Sequence, residues 1–222
     1  MDFSEVIKNR YSCKKFDERQ VGTAQLNAIL EAGRMAPTAK NLQGQRIYVV
    51  QSEAGLARID KITPCRYGAP TVIVVAFDAG NVFTYPGGKR NSGVEDTSIV
   101  ATHMMLAAAN EGVDSCWINF FNPEDMAREL GLPENEEVLM MLDLGYAAPN
   151  ITPLPTHNKR KELSETVSFC NSGEKDERNL DCLFFCQRCD GQGCQGTGPG
   201  YRRRTPRNHP LPGIYGRGLE LA

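Results

Sequence analysis

The sequence has few of the features that mark membrane, secreted or nucleic-acid-binding proteins. Its 222 residues contain no apolar run near the length of a membrane span, and the first residues lack the basic and apolar regions of a signal peptide. The formal net charge is −2, which gives no general attraction to nucleic acid or to anionic membranes. We therefore expect a cytoplasmic protein in which any affinity for an anion is local.

Histidine and tryptophan are also scarce, with three and one residues respectively. His103 and Trp117 both fall within apolar segments, where packing in the core is the simplest interpretation of each. The sequence therefore offers no obvious catalytic acid or base.

Cysteine is plentiful, but it is unevenly distributed. Eight cysteines would suggest disulfides in a small secreted protein, yet nothing here indicates secretion. Three are scattered, at Cys13, Cys65 and Cys116, whereas five lie in the last quarter of the chain. There the composition shifts to glycine, proline and arginine without apolar periodicity. We therefore predict one folded domain at residues 1–169 and a mostly disordered tail at residues 170–222.

Residues 1–169 alternate between helix and strand patterns. Apolar runs predict four strands, at residues 46–50, 71–77, 115–120 and 137–147. Periodicity and capping residues predict four helices: residues 2–9, from the N-cap Thr23 to the residue before Ala36, residues 94–110, and after the N-cap Asn122. This interleaving predicts an α+β fold with a central mixed sheet flanked by helices.

Positive charge is concentrated near the N-terminus, in the segment RYSCKKF. Arg10 offers a planar fork suited to a phosphate, Ser12 adds a hydroxyl and Lys14 adds a point charge. In an extended segment these alternate positions share a side and can converge on one anion. A solvated, charged loop is the simpler alternative for the same residues.

Two further polar clusters follow later in the chain. The segment APTAKNLQGQ carries Thr38, Asn41 and Gln43, whose amides suit the edge of a heterocycle with alternating C=O and N–H groups. A polar turn is the simpler alternative. The segment THNKRKELSETV carries a basic triplet at residues 159–161, a pattern that usually marks a solvated surface.

Taken together, six segments in this order resemble the nitroreductase family of FMN-dependent oxidoreductases. They are RYSCKKF, EAGRMAPTAKNLQ, APTVIVV, EDTSIVATHMMLAAANEGVDSCWI, LPENEEVLMMLDLGYA and HNKRKELSETV, and the resemblance covers residues 3–169. It implies a homodimer with FMN at the subunit interface. It also implies NAD(P)H as the hydride donor and an electron-poor acceptor, such as a nitroaromatic compound or a quinone.

The resemblance assigns cofactor contacts to the two basic segments. Arg10, Ser12 and Arg160 match contacts to the flavin phosphate and ribityl chain, and Tyr11 belongs to the same motif. Lys14 matches a basic residue near the pyrimidine edge of the flavin, where negative charge accumulates on reduction.

It assigns the remaining contacts to segments around the flavin ring. Asn41 matches a residue that forms hydrogen bonds with the ring edge, and Gln43 is close by. The turn that lines the ribityl and phosphate pocket from the partner subunit is matched by Pro37, Thr38 and Ala39. Ile118 and Asn119 match the segment whose backbone N–H approaches flavin N5. No catalytic side chain is assigned, because flavin N5 carries the chemistry.

Three positions depart from the pattern of the family. Gly44-Gln45 stands where many members have Pro-Trp, and Asn119-Phe120 stands where many have Glu-Gly. Asn158 replaces the lysine of the phosphate-binding pattern. The first two positions shape the substrate face of the flavin, so they bear on the substrate more than on the cofactor.

The cysteine-rich tail supports an alternative function. Four of its residues have a spacing that could hold one tetrahedral Zn²⁺ or, with less support, an iron–sulfur cluster: Cys182, Cys186, Cys189 and Cys194. They are weak candidates, and no metal is predicted. A flavin domain coupled to such a tail would act as a metal- or redox-responsive binding or sensor protein. A non-functional extension is the simpler interpretation.

Overall fold

The computed structural model describes residues 2–169. Residues 2–159 lie in one compact unit, and residues 160–169 belong to a second unit. The helices of the first unit are α1 (Phe3–Asn9), α2 (Thr23–Arg34), α3 (Glu53–Ile62), α4 (Gly93–Asn110) and α5 (Pro123–Leu130). Its strands are β1 (Gln45–Val50), β2 (Thr71–Asp78), β3 (Asp114–Ile118) and β4 (Glu136–Gly145). The second unit contributes α6 (Leu163–Thr166).

The four strands form one sheet in the order β1-β2-β4-β3, and every neighbouring pair is antiparallel. A parallel pairing comes from the N-terminal segment, where Ser12 forms a bridge with Ser115 of β3. The predicted α+β class, with helices around a central sheet, is confirmed. Between Val75 and Ala76 the register of β2 against β4 shifts, so Leu139 has no partner opposite it.

The sheet lies between two layers of helices. One layer contains α2 and α4, which pack through Ile29 and Met104. The other contains α3 and α5, which pack through Ile59 and Met126. Strand β2 is buried on both faces, as its uninterrupted apolar sequence predicts. The sheet is therefore an interior element, and the candidate site must lie at its edges and ends.

Local sequence explains where several elements begin. The side chain of Asn122 accepts hydrogen bonds from the N–H groups of Glu124 and Asp125, which confirms it as the N-cap of α5. Helix α2 begins one residue earlier than predicted, because the N-cap is Gly22 and Thr23 is already helical. Helix α3 was not predicted, although Ser52 caps it through the N–H of Gly55. Strand β3 ends at Ile118, so Asn119 and Phe120 lie beyond the sheet.

None of the helices within residues 2–169 is long and apolar enough to cross a lipid bilayer. The tail cysteines Cys182, Cys186, Cys189 and Cys194 lie outside the described residues, as does the predicted disorder of residues 170–222. The predicted domain boundary at 169/170 stays a prediction.

Candidate functional site

The basic N-terminal segment is extended, as the anion-binding hypothesis requires. Helix α1 ends at Asn9, and Arg10 already has an extended backbone. Cys13 donates its N–H to the carbonyl of Ser115 at 2.9 Å, which fixes the segment along β3. Cys13 is fully buried, whereas Ser12 and Lys14 are exposed. The alternation places Ser12 and Lys14 on the solvent side of the segment.

The side chains of Arg10 and Lys14 form no ion pair within residues 2–169. Among the described residues, the guanidinium of Arg10 has no hydrogen-bond or ion-pair partner. Lys14 forms no described ion pair either, and its Nζ lies 5.8 Å from the ring centre of Tyr67. Two free cations beside an exposed hydroxyl form a donor set that suits a phosphate and a polar ring edge.

Tyr11 is less exposed than Ser12 and Lys14. With Arg10 and Asp114 it lines a small cavity of about 170 Å³, and its ring lies edge-on to His157 at 6.4 Å. Burial, and then the nearby Asp114 carboxylate, raise the pKa of Tyr11, so its hydroxyl stays protonated at neutral pH. We infer that Tyr11 packs beneath the basic segment.

The loop around Asn41 is held in a strained conformation. Lys40, Asn41 and Gln43 have φ angles of 53°, 53° and 52°, a left-handed region that non-glycine residues seldom adopt. Such residues cost of order 1–3 kcal/mol each and persist only where their surroundings fix them. Because strain of this kind clusters at functional sites, the loop is a candidate site independently of its amide groups.

Hydrogen bonds within the loop and to Asn81 and Asp96 fix its conformation. Thr38 Oγ1 accepts from the N–H of Gln43 at 3.0 Å, and Asn81 Nδ2 donates to the carbonyl of Leu42 at 2.9 Å. The N–H of Ala39 donates to Asp96 Oδ1 at 2.8 Å. Asn41 and Gln43 remain exposed at the surface, while Thr38 and Ala39 are half-buried and Pro37 is exposed.

Sequence reasoning missed Asp96, which anchors the loop from the first turn of α4. Its second oxygen accepts from Ser92 Oγ at 2.7 Å, and the carboxylate is almost fully buried. An acidic residue in the first turn of a helix was the available signal. Its contact with Ala39, 57 positions earlier, could not be read from the sequence.

The segment after β3 is fixed by its own side chains. The indole N–H of Trp117 donates to Asn119 Oδ1, and Asn119 Nδ2 donates at 3.3 Å to the carbonyl of Leu139, the bulged residue of β4. These contacts occupy the Asn119 side chain, whereas the ring of Phe120 is 74% exposed. Ile118 is buried in the core, so only its backbone is available at the site.

Arg160 lies in the second unit, two residues before Glu162, the N-cap of α6. It is exposed. Its predicted contact with a flavin phosphate stays a prediction.

A larger groove of about 1,240 Å³ lies elsewhere, between α5 and the start of β4. It contains none of the predicted cofactor residues. Among residues 2–169, no three histidine, cysteine or acidic residues are placed to hold a metal ion.

Comparison with known proteins identifies the family. The model of the nitroreductase family matches residues 7–65 and 61–146. This chain belongs to the nitroreductase family. A nitroreductase family protein of known crystal structure from Clostridium difficile 630 is 37% identical and superposes with a TM-score of 0.72, covering 77% of this chain and 99% of that chain. The predicted family, fold class and enzyme class, a flavin oxidoreductase, are thereby confirmed.

Two other nitroreductases are similar to this chain. A relative from Methanothermobacter thermautotrophicus carries the name NADH dehydrogenase/NAD(P)H nitroreductase. It is 30% identical over 159 residues, which cover 68% of this chain and 80% of that protein. A crystal structure of a nitroreductase with bound FMN from Bacteroides fragilis NCTC 9343 is 26% identical and superposes with a TM-score of 0.58, covering 77% of this chain and all of that one.

Proposed function

We propose that this nitroreductase binds FMN and transfers hydride from NAD(P)H to an electron-poor acceptor, such as a nitroaromatic compound or a quinone. The observation that carries the proposal is the extended segment in which Arg10 and Lys14 have no carboxylate partner among the described residues. A guanidinium and an ammonium without carboxylate partners can both form charge-assisted hydrogen bonds with an anionic ligand. The FMN-bound relative supports the choice of ligand.

The residues present fit FMN chemically. The guanidinium of Arg10 and the hydroxyl of Ser12 would hold the phosphate and ribityl chain. The amides of Asn41 and Gln43 offer both donors and acceptors to the pyrimidine edge of the ring. Pro37, Thr38 and Ala39 would line the phosphate and ribityl pocket.

Each of these residues contributes binding or orientation. When bound, FMN supplies the hydride-transfer chemistry between NAD(P)H and the acceptor. The ammonium of Lys14 would favour negative charge at the pyrimidine edge. The backbone at Ile118 and Asn119, fixed by the Trp117 and Leu139 contacts, would define the wall of the site beside N5.

The acceptor is expected to be a flat, electron-poor molecule. Gly44-Gln45 and Asn119-Phe120 replace residues that shape the substrate face in many relatives. Gly44 is buried against Asn81, and a Cβ there would lie 2.4 Å from the Asn81 carbonyl oxygen. The exposed ring of Phe120 remains available to stack on an aromatic substrate.

We propose that the active form is a homodimer. Large apolar side chains remain exposed on α1 and on its neighbour α4, including Phe3 and Ile7 on one helix and Val94 and Ile99 on the other. Phe3 and Ile7 are four residues apart and therefore lie on one face of α1. Soluble monomers seldom expose such groups together, and a second copy of the chain would cover them.

The function is tested by recording the visible absorption spectrum of the purified chain with added FMN. We expect the bound-flavin band to bleach when NADH or NADPH is added without oxygen, and to return when a quinone or nitroaromatic compound follows. A protein that takes up no FMN would overturn the proposal. A protein that binds FMN but reacts with neither nucleotide would overturn the assigned hydride donor alone.

A further inference from the structure

A loop that the sequence did not assign to the site contacts two of its predicted segments. The loop comprises residues 63–68 and forms most of the connection between α3 and β2. On one side, the N–H of Phe16 donates to the carbonyl of Tyr67 at 3.1 Å, and the Tyr67 ring lies beneath the ammonium of Lys14. On the other side, Thr63 Oγ1 donates to the carbonyl of Phe120 at 2.8 Å. The loop 63–68 therefore connects the basic segment with the segment after β3.

Tyr67 adopts a backbone conformation that tyrosine rarely takes. Its φ is 53°, and the following Gly68 has a φ of 80°. Left-handed geometry at a bulky residue persists only where neighbouring contacts fix it, and such residues concentrate at ligand sites. In this conformation the ring centre of Tyr67 lies 5.8 Å from Lys14 Nζ.

Several contacts hold the loop in place. Arg66 donates to the carbonyl of Ala69 at 2.7 Å and forms an ion pair with Asp60 of α3 at 2.5 Å. The N–H of Cys65 donates to Thr63 Oγ1 at 3.2 Å, and Thr63 is almost fully buried. A hydrogen bond with Cys65, together with burial, raises the pKa of Tyr67 to about 12. The hydroxyl of Tyr67 is therefore protonated at neutral pH.

We propose that Tyr67 is a positioning residue that holds the ammonium of Lys14 at the pyrimidine edge of FMN. The proposal rests on the proposed function, because it needs FMN at the site. Lys14 is a long, flexible and exposed side chain that forms no ion pair within residues 2–169. The Tyr67 ring therefore restricts the position of its ammonium through a cation–π contact. Holding the cation at the ring edge favours the reduced, more negative flavin over the oxidised form.

The consequence is measurable as a ratio of two dissociation constants. Removing the Tyr67 ring releases Lys14, which weakens the binding of reduced FMN more than that of oxidised FMN. From the strength of an exposed cation–π contact, we expect this ratio to change by about two- to fivefold. At about 30 mV per tenfold change for a two-electron couple, the midpoint potential of bound FMN falls by about 10–20 mV.

The experiment uses the full-length protein loaded with FMN and five single variants, one of them a control. Tyr67→Asn and Tyr67→Gly both remove the ring while tolerating the left-handed backbone. Tyr67→Phe keeps the ring, and Lys14→Met removes the cation. Tyr48→Leu is the control, because it removes a tyrosine from β1 whose hydroxyl donates to Glu136, away from the predicted cofactor residues. The readouts are the FMN dissociation constant, the midpoint potential and the melting temperature.

We expect the potential to fall in Tyr67→Asn, Tyr67→Gly and Lys14→Met, and to stay at the wild-type value in Tyr67→Phe and Tyr48→Leu. Adding Tyr67→Gly to Lys14→Met should lower the potential no further, since both changes act through one ammonium.

Two results would show that Tyr67 has a purely structural role and would overturn the inference. One is a double variant in which the two changes in potential add. The other is a Tyr67→Asn or Tyr67→Gly protein with a lower melting temperature but the wild-type potential. If Tyr67→Asn does not fold, Tyr67→Gly and the double variant still test whether Tyr67 acts through Lys14. Failure of the wild-type protein to bind FMN would instead overturn the proposed function, and this inference with it.

Discussion

Cys116 of β3 lies directly opposite Asp143 of β4 in the interior of the sheet. Asp143 is fully buried, and neither carboxylate oxygen has a hydrogen-bond partner among the described residues. Burial raises the pKa of Asp143 to about 9 and that of Cys116 to about 12. The nearby Arg66 opposes the shift of Asp143 but does not cancel it. Both groups are therefore neutral at pH 7, and the core contains an uncharged carboxylic acid.

The neutral Asp143 should make folding stability fall as the pH rises. An aspartate in the unfolded chain has a pKa near 3.9, whereas the native value is about 9. Between these values the native state holds a proton that the unfolded state has lost, so the free energy of unfolding decreases with rising pH. Asp143→Asn removes this linkage. Its melting temperature relative to wild type should therefore rise by several degrees between pH 5 and pH 8.

Asp78→Asn is the matched control for this measurement. Hydrogen bonds from Asn135 and Gly80 lower the pKa of Asp78, so its charge does not change between pH 5 and pH 8. The melting temperature of the control relative to wild type should be the same at both pH values. If the difference in melting temperature between Asp143→Asn and wild type is the same at pH 5 and pH 8, Asp143 is ionised in the native protein.

Arg10→Ala should weaken FMN binding by about 10- to 100-fold, the loss expected for hydrogen bonds to a charged group. Fluorescence titration of FMN measures the effect, and the weakening should shrink at high salt. Arg128→Ala is the control, because Arg128 is an exposed arginine of α5 that pairs with Asp125. An Arg10→Ala protein that purifies with full flavin content would place the phosphate elsewhere.

Ile99→Asp should disrupt the proposed homodimer, because it places a charge on the exposed apolar surface of α4. Light scattering after size exclusion should show a shift from dimer to monomer, with loss of FMN from a site that uses both chains. Ala57→Asp, at an exposed position of α3 on the opposite side of the sheet, should leave the dimer intact. A wild-type protein that runs as a monomer with FMN bound would contradict the dimer.

Local sequence determined much of the fold. The uninterrupted apolar run of β2, the cap of α5 and the alternation of Ser12, Cys13 and Lys14 each depend on residues close in the chain. Periodicity and capping report such neighbours directly. Helix α3 could have been found in the same way, from Ser52 as N-cap and from Leu56 and Ile59 on its buried side.

Tertiary structure decided how the candidate site is supported. Asp96 reaches Ala39 across 57 positions, and Thr63 reaches the carbonyl of Phe120 across the same separation. Tyr67 lies beneath Lys14 with a left-handed backbone, a state that its residue type disfavours. Sequence patterns record which groups are available, but contacts between distant segments arise only when the packed sheet and helices bring them together. For that reason the family and its charged residues could be predicted from the sequence, whereas the groups that hold those residues in place could not.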